Sequence, residues 1–173
     1  MLADDPTLNA RVDFDVEQPI RVVLDSQLKM PLNAKLLKVP GRCLILTCSS
    51  DAVKRQALES IGFEVFCMDS NNGHLNLKSV MAFLAGQQIN NLLIEAGAIL
   101  NGALLAENLL DELIIYMAPS ILGDQGRGLF ALPALHTMAD KKTLHFCDVR
   151  AIGSDIKLTL IARSEMKYLC LQA

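Results

Sequence analysis

The chain has 173 residues, 51% of them apolar and 5% aromatic, and its formal net charge is -3. This length and aliphatic composition suit one domain whose helices cover both faces of a parallel sheet. No cluster of Lys and Arg is interleaved with aromatics, and no apolar run approaches the ~20 residues that span a bilayer, which argues against nucleic-acid binding and against a membrane span.

Cysteine and histidine usage points to a reduced compartment and no metal. The five cysteines form no C-x-x-C pair and mostly lie inside apolar runs, which is typical of reduced core thiols. With no signal-peptide pattern, the sequence predicts a cytoplasmic protein. The three histidines are scattered without ligand spacing, so no metal site is predicted. The positive mean hydropathy suggests apolar surface buried against a second copy.

The N-terminal half predicts strands alternating with helices. Three apolar runs indicate buried strands at residues 20–25, 43–47 and 64–68. Helical spacing predicts helices over residues 52–61 and 77–86, the first after a capping segment at residues 49–51. This alternation favours a mainly parallel sheet with right-handed crossovers.

A glycine turn follows the next apolar run. Residues 91–95 are predicted as a strand that ends in Glu95, and residues 112–117 as the next buried strand. Between these two strands, Gly97 and Gly102 bracket a turn that enters a helix. The helix start would aim unpaired N–H groups and the positive dipole end at a ligand, which suits a dinucleotide phosphate. Neither a P-loop nor a G-x-G-x-x-G pattern is present. Taken alone, the glycines are more typical of ordinary turn chemistry than of a cofactor loop.

The C-terminal third has a different pattern. Residues 143–152 and 156–162 are strand-like and are joined by Gly153, Ser154 and Asp155, which predicts a hairpin. A long flexible loop is predicted over residues 119–133. A mixed sheet that ends in an antiparallel hairpin differs from a doubly wound dinucleotide-binding domain.

Four separated segments carry a resemblance to a known family. LADDPTLNAR (residues 2–11), PIRVVLDS (19–26), IEAGAILNGALL (94–105) and DELIIYMAPSILG (111–123) occur in matching order and spacing. Together they resemble the reductase domain of the bifunctional riboflavin-biosynthesis deaminase/reductase, over residues 2–162. The resemblance implies a dihydrofolate-reductase-like α/β fold with a mixed, mainly parallel sheet, flanking helices and a C-terminal antiparallel hairpin. It also implies that NADPH reduces the ribosyl group of 5-amino-6-(5-phosphoribosylamino)uracil to the ribityl chain.

The same resemblance implies the site residues. NADPH would contact Asp4, Ser26 and a phosphate-binding turn made of Gly97, Ala98, Ile99, Leu100, Asn101, Gly102 and Ala103. The substrate would contact Leu8, Arg11 and Glu95, with Arg11 pairing with its phosphate and Glu95 with a hydroxyl or a base edge. Singly, Asp4 could begin a turn, Arg11 could be a surface charge, and Ser26 and Glu95 could serve loop backbone. Because Ser26 and Gly97 both follow strands of the predicted parallel sheet, we expect them in one site.

The sequence departs from the family pattern in two respects, and these leave alternative functions open. The zinc-deaminase patterns H-x-E and P-C-x-x-C do not occur, which excludes deaminase activity. Family reductase domains begin with a further strand, loop and helix, so we expect the reductase domain, residues 1–162, to lack its first strand, with residues 163–173 forming a tail. The alternatives are an inactive homodimeric remnant, a nucleotide-binding module, and a reductase for another pterin or pyrimidine. A homodimer is expected from the aliphatic content and the resemblance.

Overall fold

A computed structural model describes residues 5–134 and 136–162. The chain forms two compact units, Met1–Leu92 and Leu93–Ala173. Parallel strands, helices and an antiparallel strand group are all present, which confirms the mixed α/β class. No helix in these described ranges is long and apolar enough to cross a membrane.

The first unit contains a three-stranded parallel sheet. Strands β1 (Arg21–Leu24), β2 (Cys43–Thr47) and β3 (Glu64–Cys67) lie in that order, so all three strands predicted for this half are confirmed. Every residue of β2 is buried, because helices α1 (Ala52–Ser60) and α2 (Leu77–Gly86) follow the sheet strands and supply core on both sides. Alternate β2 residues join different clusters, since successive strand side chains point to opposite faces. Ile45 packs in a cluster with Leu58 of α1, whereas Leu44 and Leu46 pack in one with Val80 and Leu84 of α2.

Local signals set the ends of both helices. The Asp51 carboxylate accepts a hydrogen bond from the Lys54 N–H at 2.9 Å, and the Asn76 side chain accepts one from the Ser79 N–H at 3.1 Å. Such caps satisfy amides that have no partner within the helix. Gly62 ends the first helical segment with φ +102, a conformation that favours glycine. Between β3 and α2, strands β4 (Ser70–Asn71) and β5 (His74–Leu75) form a small hairpin.

Arg21 anchors the amino-terminal edge of the parallel sheet. It is 3% exposed, and its guanidinium donates to the backbone carbonyls of Leu36, Pro40 (3.3 Å) and Gly41 (2.7 Å). The group borders a cavity of about 230 Å³ that is also lined by Cys43. Burial raises the pKa of the Cys43 thiol to about 11, so the thiol is neutral at physiological pH. Three backbone carbonyls therefore stabilise the buried guanidinium of Arg21, and these hydrogen bonds fix the loop that leads into β2.

The second unit contains helix α3 (Ala98–Ala106) and an antiparallel sheet. Strands β6 (Glu112–Met117), β7 (Leu144–Ile152) and β8 (Asp155–Ala162) lie in the order β6-β8-β7. The predicted hairpin is confirmed, with a two-residue turn at Gly153 and Ser154. Gly153 has φ +61, as tight hairpin turns require.

Two predictions for this unit are wrong. Residues 91–95 form no strand, because an apolar run becomes a strand only when a neighbour provides a hydrogen-bonding ladder, and none of the described ladders includes these residues. The predicted β-α-β unit around α3 is therefore absent. Residues 112–117 do form a strand, but it pairs antiparallel with β8 and none of its residues is buried.

Candidate functional site

Ser26 lies at the carboxyl-terminal edge of the parallel sheet. Its carbonyl oxygen accepts hydrogen bonds from the Cys48 N–H at 3.3 Å and from the Thr47 hydroxyl at 3.4 Å, which holds it against the end of β2. The neighbouring Asp25 carboxylate accepts from the Met30 N–H at 2.7 Å and so orders the loop after β1. Ser26 itself is half-buried, and the hydrogen bonds of the described residues leave its hydroxyl unused. The hydroxyl is thus positioned where open α/β sheets bind ligands.

The sequence interpretation missed the segment that lies beside Ser26. Residues 48–51 connect β2 to α1, and sequence reasoning treated them only as a helix cap. In the structure the Ser49 N–H donates to the Thr47 hydroxyl at 3.1 Å, and the Asp51 N–H donates to the Ser49 hydroxyl at 3.2 Å. This polar turn joins Ser26 at the same sheet edge. The signal that could have found it is the serine pair Ser49–Ser50, which follows a fully buried strand after one residue.

Gly97 begins α3 with an uncapped amino terminus. Its φ of -84 is ordinary, no side chain caps the first turn, and a Cβ built on Gly97 would meet nothing within 4 Å. The amides of the first turn, at Ala98, Ile99 and Leu100, therefore begin the helix without a side-chain cap and at its positive end. An anion could approach this backbone closely. The predicted phosphate contact here stays a prediction that fits the local geometry.

Gly102 has a packing role inside α3, and its predicted phosphate contact stays a prediction. It lies inside α3, where a Cβ would stand 2.1 Å from the Ala131 carbonyl oxygen. The Ala131 N–H donates to the Ala98 carbonyl at 2.8 Å, and the Asn101 amide donates to the Leu129 carbonyl at 3.2 Å. Residues 129–131 thus run directly along this helix. Gly102 makes room for backbone, and Asn101 anchors it, whereas Ala103 is half-buried in the helix and not in a turn.

The predicted substrate residues occupy different environments. Leu8 is half-buried against the core of the first unit and has φ +49, which is a strained conformation for a branched residue. Asp5, with φ +42, accepts a hydrogen bond from the Lys35 N–H at 3.0 Å and ties this segment to the unit. Arg11 and Glu95 are exposed, and the described ion pairs include neither of them. Asp4 lies outside the described residues.

The candidate residues fall into two groups. Leu8, Arg11 and Ser26 belong to the first unit, whereas Glu95 and the Gly97 turn belong to the second. Their union in one site stays a prediction. Within residues 5–134 and 136–162, no group of three or more His, Cys, Asp and Glu side chains is placed to hold a metal ion.

Comparison with known proteins identifies the family. The family model described as the RibD C-terminal domain matches residues 1–158. The chain belongs to the RibD C-terminal domain family. The RibD structure from Acinetobacter baumannii, form 2, has a TM-score of 0.80 and 36% identity over 92% of this chain and 44% of that one. The resemblance stated from the sequence is thereby confirmed, and so is the reductase-domain fold.

Two curated relatives of different length are similar to most of this chain. The riboflavin biosynthesis protein RibD of Escherichia coli (strain K12) is 36% identical, and the match covers 93% of this chain and 46% of that protein. The 5-amino-6-(5-phosphoribosylamino)uracil reductase of Buchnera aphidicola subsp. Acyrthosiphon pisum is 33% identical, over 92% of this chain and 81% of that protein. The chain therefore spans about half the length of RibD relatives but most of a shorter reductase. It is a member of the riboflavin-biosynthesis pyrimidine reductase family.

Proposed function

We propose that this chain is an NADPH-dependent reductase that converts the ribosyl group of 5-amino-6-(5-phosphoribosylamino)uracil to the ribityl chain. The observation that carries the proposal is the family match over residues 1–158. A relative named for this reduction, of which the chain covers 81%, supports the choice of substrate. The cytoplasmic location predicted from the sequence belongs to the same proposal.

The local geometry fits a dinucleotide. The open space at Gly97 and the uncapped start of α3 suit a phosphate that approaches backbone amides. The unused Ser26 hydroxyl can donate or accept a hydrogen bond at the sheet edge. When bound, NADPH supplies the hydride, so the side chains have to orient the two reactants and exclude water. No nucleophile is required of the protein.

The substrate contacts follow from charge. Arg11 is exposed, and its guanidinium can hold a phosphate by two parallel hydrogen bonds. Glu95 is also exposed, and its carboxylate can accept from a sugar hydroxyl or from the edge of the pyrimidine. Arg11 would therefore set affinity for the substrate without affecting affinity for the cofactor.

The test is oxidation of NADPH by the purified chain in the presence of the pyrimidine ribosyl phosphate, with NADH in parallel. Turnover from folded protein supports the proposal. No turnover leaves the alternatives, which calorimetric titration with NADPH separates: binding without chemistry defines a nucleotide-binding module, and no binding defines an inactive remnant.

Two variants test the proposed contacts of Gly97 with NADPH and of Arg11 with the substrate. Gly97→Ala should raise the KM for NADPH about tenfold or more, because the added methyl would keep the phosphate from the backbone amides, and one lost hydrogen bond to a charged group costs about 1.5–3 kcal/mol. Its stability should fall by no more than about 1 kcal/mol, since the new methyl meets nothing within 4 Å and alanine is the poorer helix cap. Arg11→Gln should raise the KM for the substrate and leave that for NADPH unchanged. The opposite pattern in either variant would reject that residue's assignment.

A further inference from the structure

The backbone of Ala10, the residue before Arg11, is held by the side chain of Gln18. The Ala10 N–H donates to Gln18 Oε1 at 3.0 Å, and Gln18 Nε2 donates to the Ala10 carbonyl at 3.4 Å. One side-chain amide thus pairs with both backbone groups of a single residue, as an opposite residue does in a hydrogen-bonded pair of antiparallel strands. Only one orientation of the amide allows both bonds, because one end must accept and the other must donate. We call this pair of hydrogen bonds the Gln18 clamp.

The clamp closes an exposed loop that begins with Arg11. Residues 11–17 are all exposed. Within residues 5–134 and 136–162, no hydrogen bond involves residues 11–17. The position of this loop, and of Arg11 at its start, therefore depends on how firmly its two ends are held.

The Gln18 end of the loop is attached to the parallel sheet. Gln18 lies three residues before Arg21, the first residue of β1, and Pro19 restricts the Gln18 backbone to extended conformations. A Cβ built on Gly41 would stand 3.6 Å from the Gln18 Cβ. Arg21 donates to the Gly41 carbonyl at 2.7 Å, so Gln18 lies against a loop that the buried guanidinium already fixes.

The other end of the loop follows a segment that is attached at separate points. Asp5 accepts from the Lys35 N–H at 3.0 Å, and Leu8 packs against the core of the first unit. The Gln18 clamp on Ala10 is the last of these attachments before Arg11. Removing the clamp would therefore free the backbone next to Arg11 and leave the preceding attachments in place.

We propose that Gln18 is a positioning residue for Arg11, because it fixes the point from which the Arg11 guanidinium reaches the substrate phosphate. This inference rests on the phosphate contact of Arg11 in the proposed function. A guanidinium that holds a phosphate by two parallel hydrogen bonds gives up backbone and side-chain freedom on binding. The clamp removes part of that freedom before the substrate binds. Gln18 should therefore affect the affinity for the phosphate and leave the rate of hydride transfer unchanged.

The test is calorimetric titration of the full chain with ribose 5-phosphate, the phosphate end of the proposed substrate. Gln18→Met keeps a side chain of similar length and removes both hydrogen bonds. It should weaken binding about five- to tenfold, the size of effect expected from losing about one hydrogen bond. Gln87→Met is the matched control, since Gln87 is another half-buried glutamine of the first unit and accepts from Arg42 at 2.8 Å. It should bind ribose 5-phosphate as wild type does.

A double-mutant cycle shows whether Gln18 acts through Arg11. Adding Gln18→Met to Arg11→Gln should weaken binding less than twofold further, because the effects of residues that share one contact are not additive. Complete loss of binding in Arg11→Gln has the same meaning, since all the affinity then depends on Arg11.

Two measurements report on the clamp itself. The Ala10 amide proton should exchange at least tenfold faster in Gln18→Met than in wild type, while circular dichroism shows folded protein. Gln18→Ala should repeat the effect of Gln18→Met on exchange and on binding.

Three results would overturn the role of Gln18. They are a wild type that does not bind ribose 5-phosphate, a Gln18→Met variant that binds as tightly as wild type, and an equal loss with and without Arg11. Turnover of the complete substrate is a separate measurement. In an active chain, Gln18→Met should raise the KM for the substrate and leave kcat and the KM for NADPH unchanged. No turnover, together with weaker ribose 5-phosphate binding in Gln18→Met, would reject the reductase function and support the positioning role.

Discussion

Replacing Gly102 by alanine asks whether this glycine serves the fold or a cofactor. The new Cβ would lie 2.1 Å from the Ala131 carbonyl oxygen and 2.9 Å from its carbonyl carbon. Contacts between such atoms normally exceed 3 Å, so residues 129–131 must move by about 1 Å or more. That shift breaks the 2.8 Å hydrogen bond from the Ala131 N–H to the Ala98 carbonyl.

The expected change in the free energy of unfolding combines two unfavourable effects and one favourable effect. Overpacking costs about 1–3 kcal/mol. Loss of the hydrogen bond adds about 1 kcal/mol, and the better helix propensity of alanine offsets about 1 kcal/mol. We expect a net loss of about 1–3 kcal/mol in the free energy of unfolding, and a melting temperature lower by about 3–10 °C for a chain of this size.

Urea denaturation measures the change, with Gly86→Ala as the control. Gly86 is the last residue of α2, and a Cβ there would meet nothing within 4 Å, so this variant should be at least as stable as wild type, with any gain coming from the better helix propensity of alanine. If Gly102→Ala proves equally stable, the close approach of Ala131 does not explain the glycine. The steric argument would then be refuted, and a ligand would become the better explanation.

Three other substitutions test neighbouring parts of the argument. Arg21→Met should lower the free energy of unfolding by about 2–4 kcal/mol, because it leaves three backbone carbonyls without their donor; a loss under about 1 kcal/mol would contradict the anchoring role. The hydrogen bond from Arg42 lowers the pKa of Glu64. The pair therefore stabilises the fold fully at pH values above the pKa that Glu64 has in the unfolded chain. This stabilisation is lost as the pH falls through the lower pKa that Glu64 has in the folded protein. Glu64→Gln should remove this loss of stability in acid, which denaturation at several pH values measures. The change in the free energy of unfolding should be small and sensitive to salt, because the pair is exposed. Asp51→Asn should keep the helix cap and leave the KM for NADPH unchanged, whereas a lower KM would place a phosphate at α1 instead of at Gly97.

Local signals explain what the sequence could predict. The strand at residues 43–47 and the helix cap at Asp51 depend on residues adjacent in the chain, and both were predicted. The run at residues 91–95 has the same composition as a buried strand, but a ladder depends on a distant partner that composition cannot reveal. The reason for Gly102 was equally hidden, because the backbone it accommodates belongs to Ala131. The failures therefore fall where long-range pairing decides the structure.

The two helix starts near the candidate residues differ in their capacity to hold a phosphate. At α1 the Asp51 carboxylate already accepts from the Lys54 N–H, and its negative charge opposes a second anion. At α3 the cap is Gly97, which brings neither a side chain nor a charge. Of these two helix starts, the start of α3 is therefore the more favourable for an anion such as a phosphate. The difference follows from charge alone, because an Asp51 carboxylate stands at one helix start and a glycine without a side chain at the other.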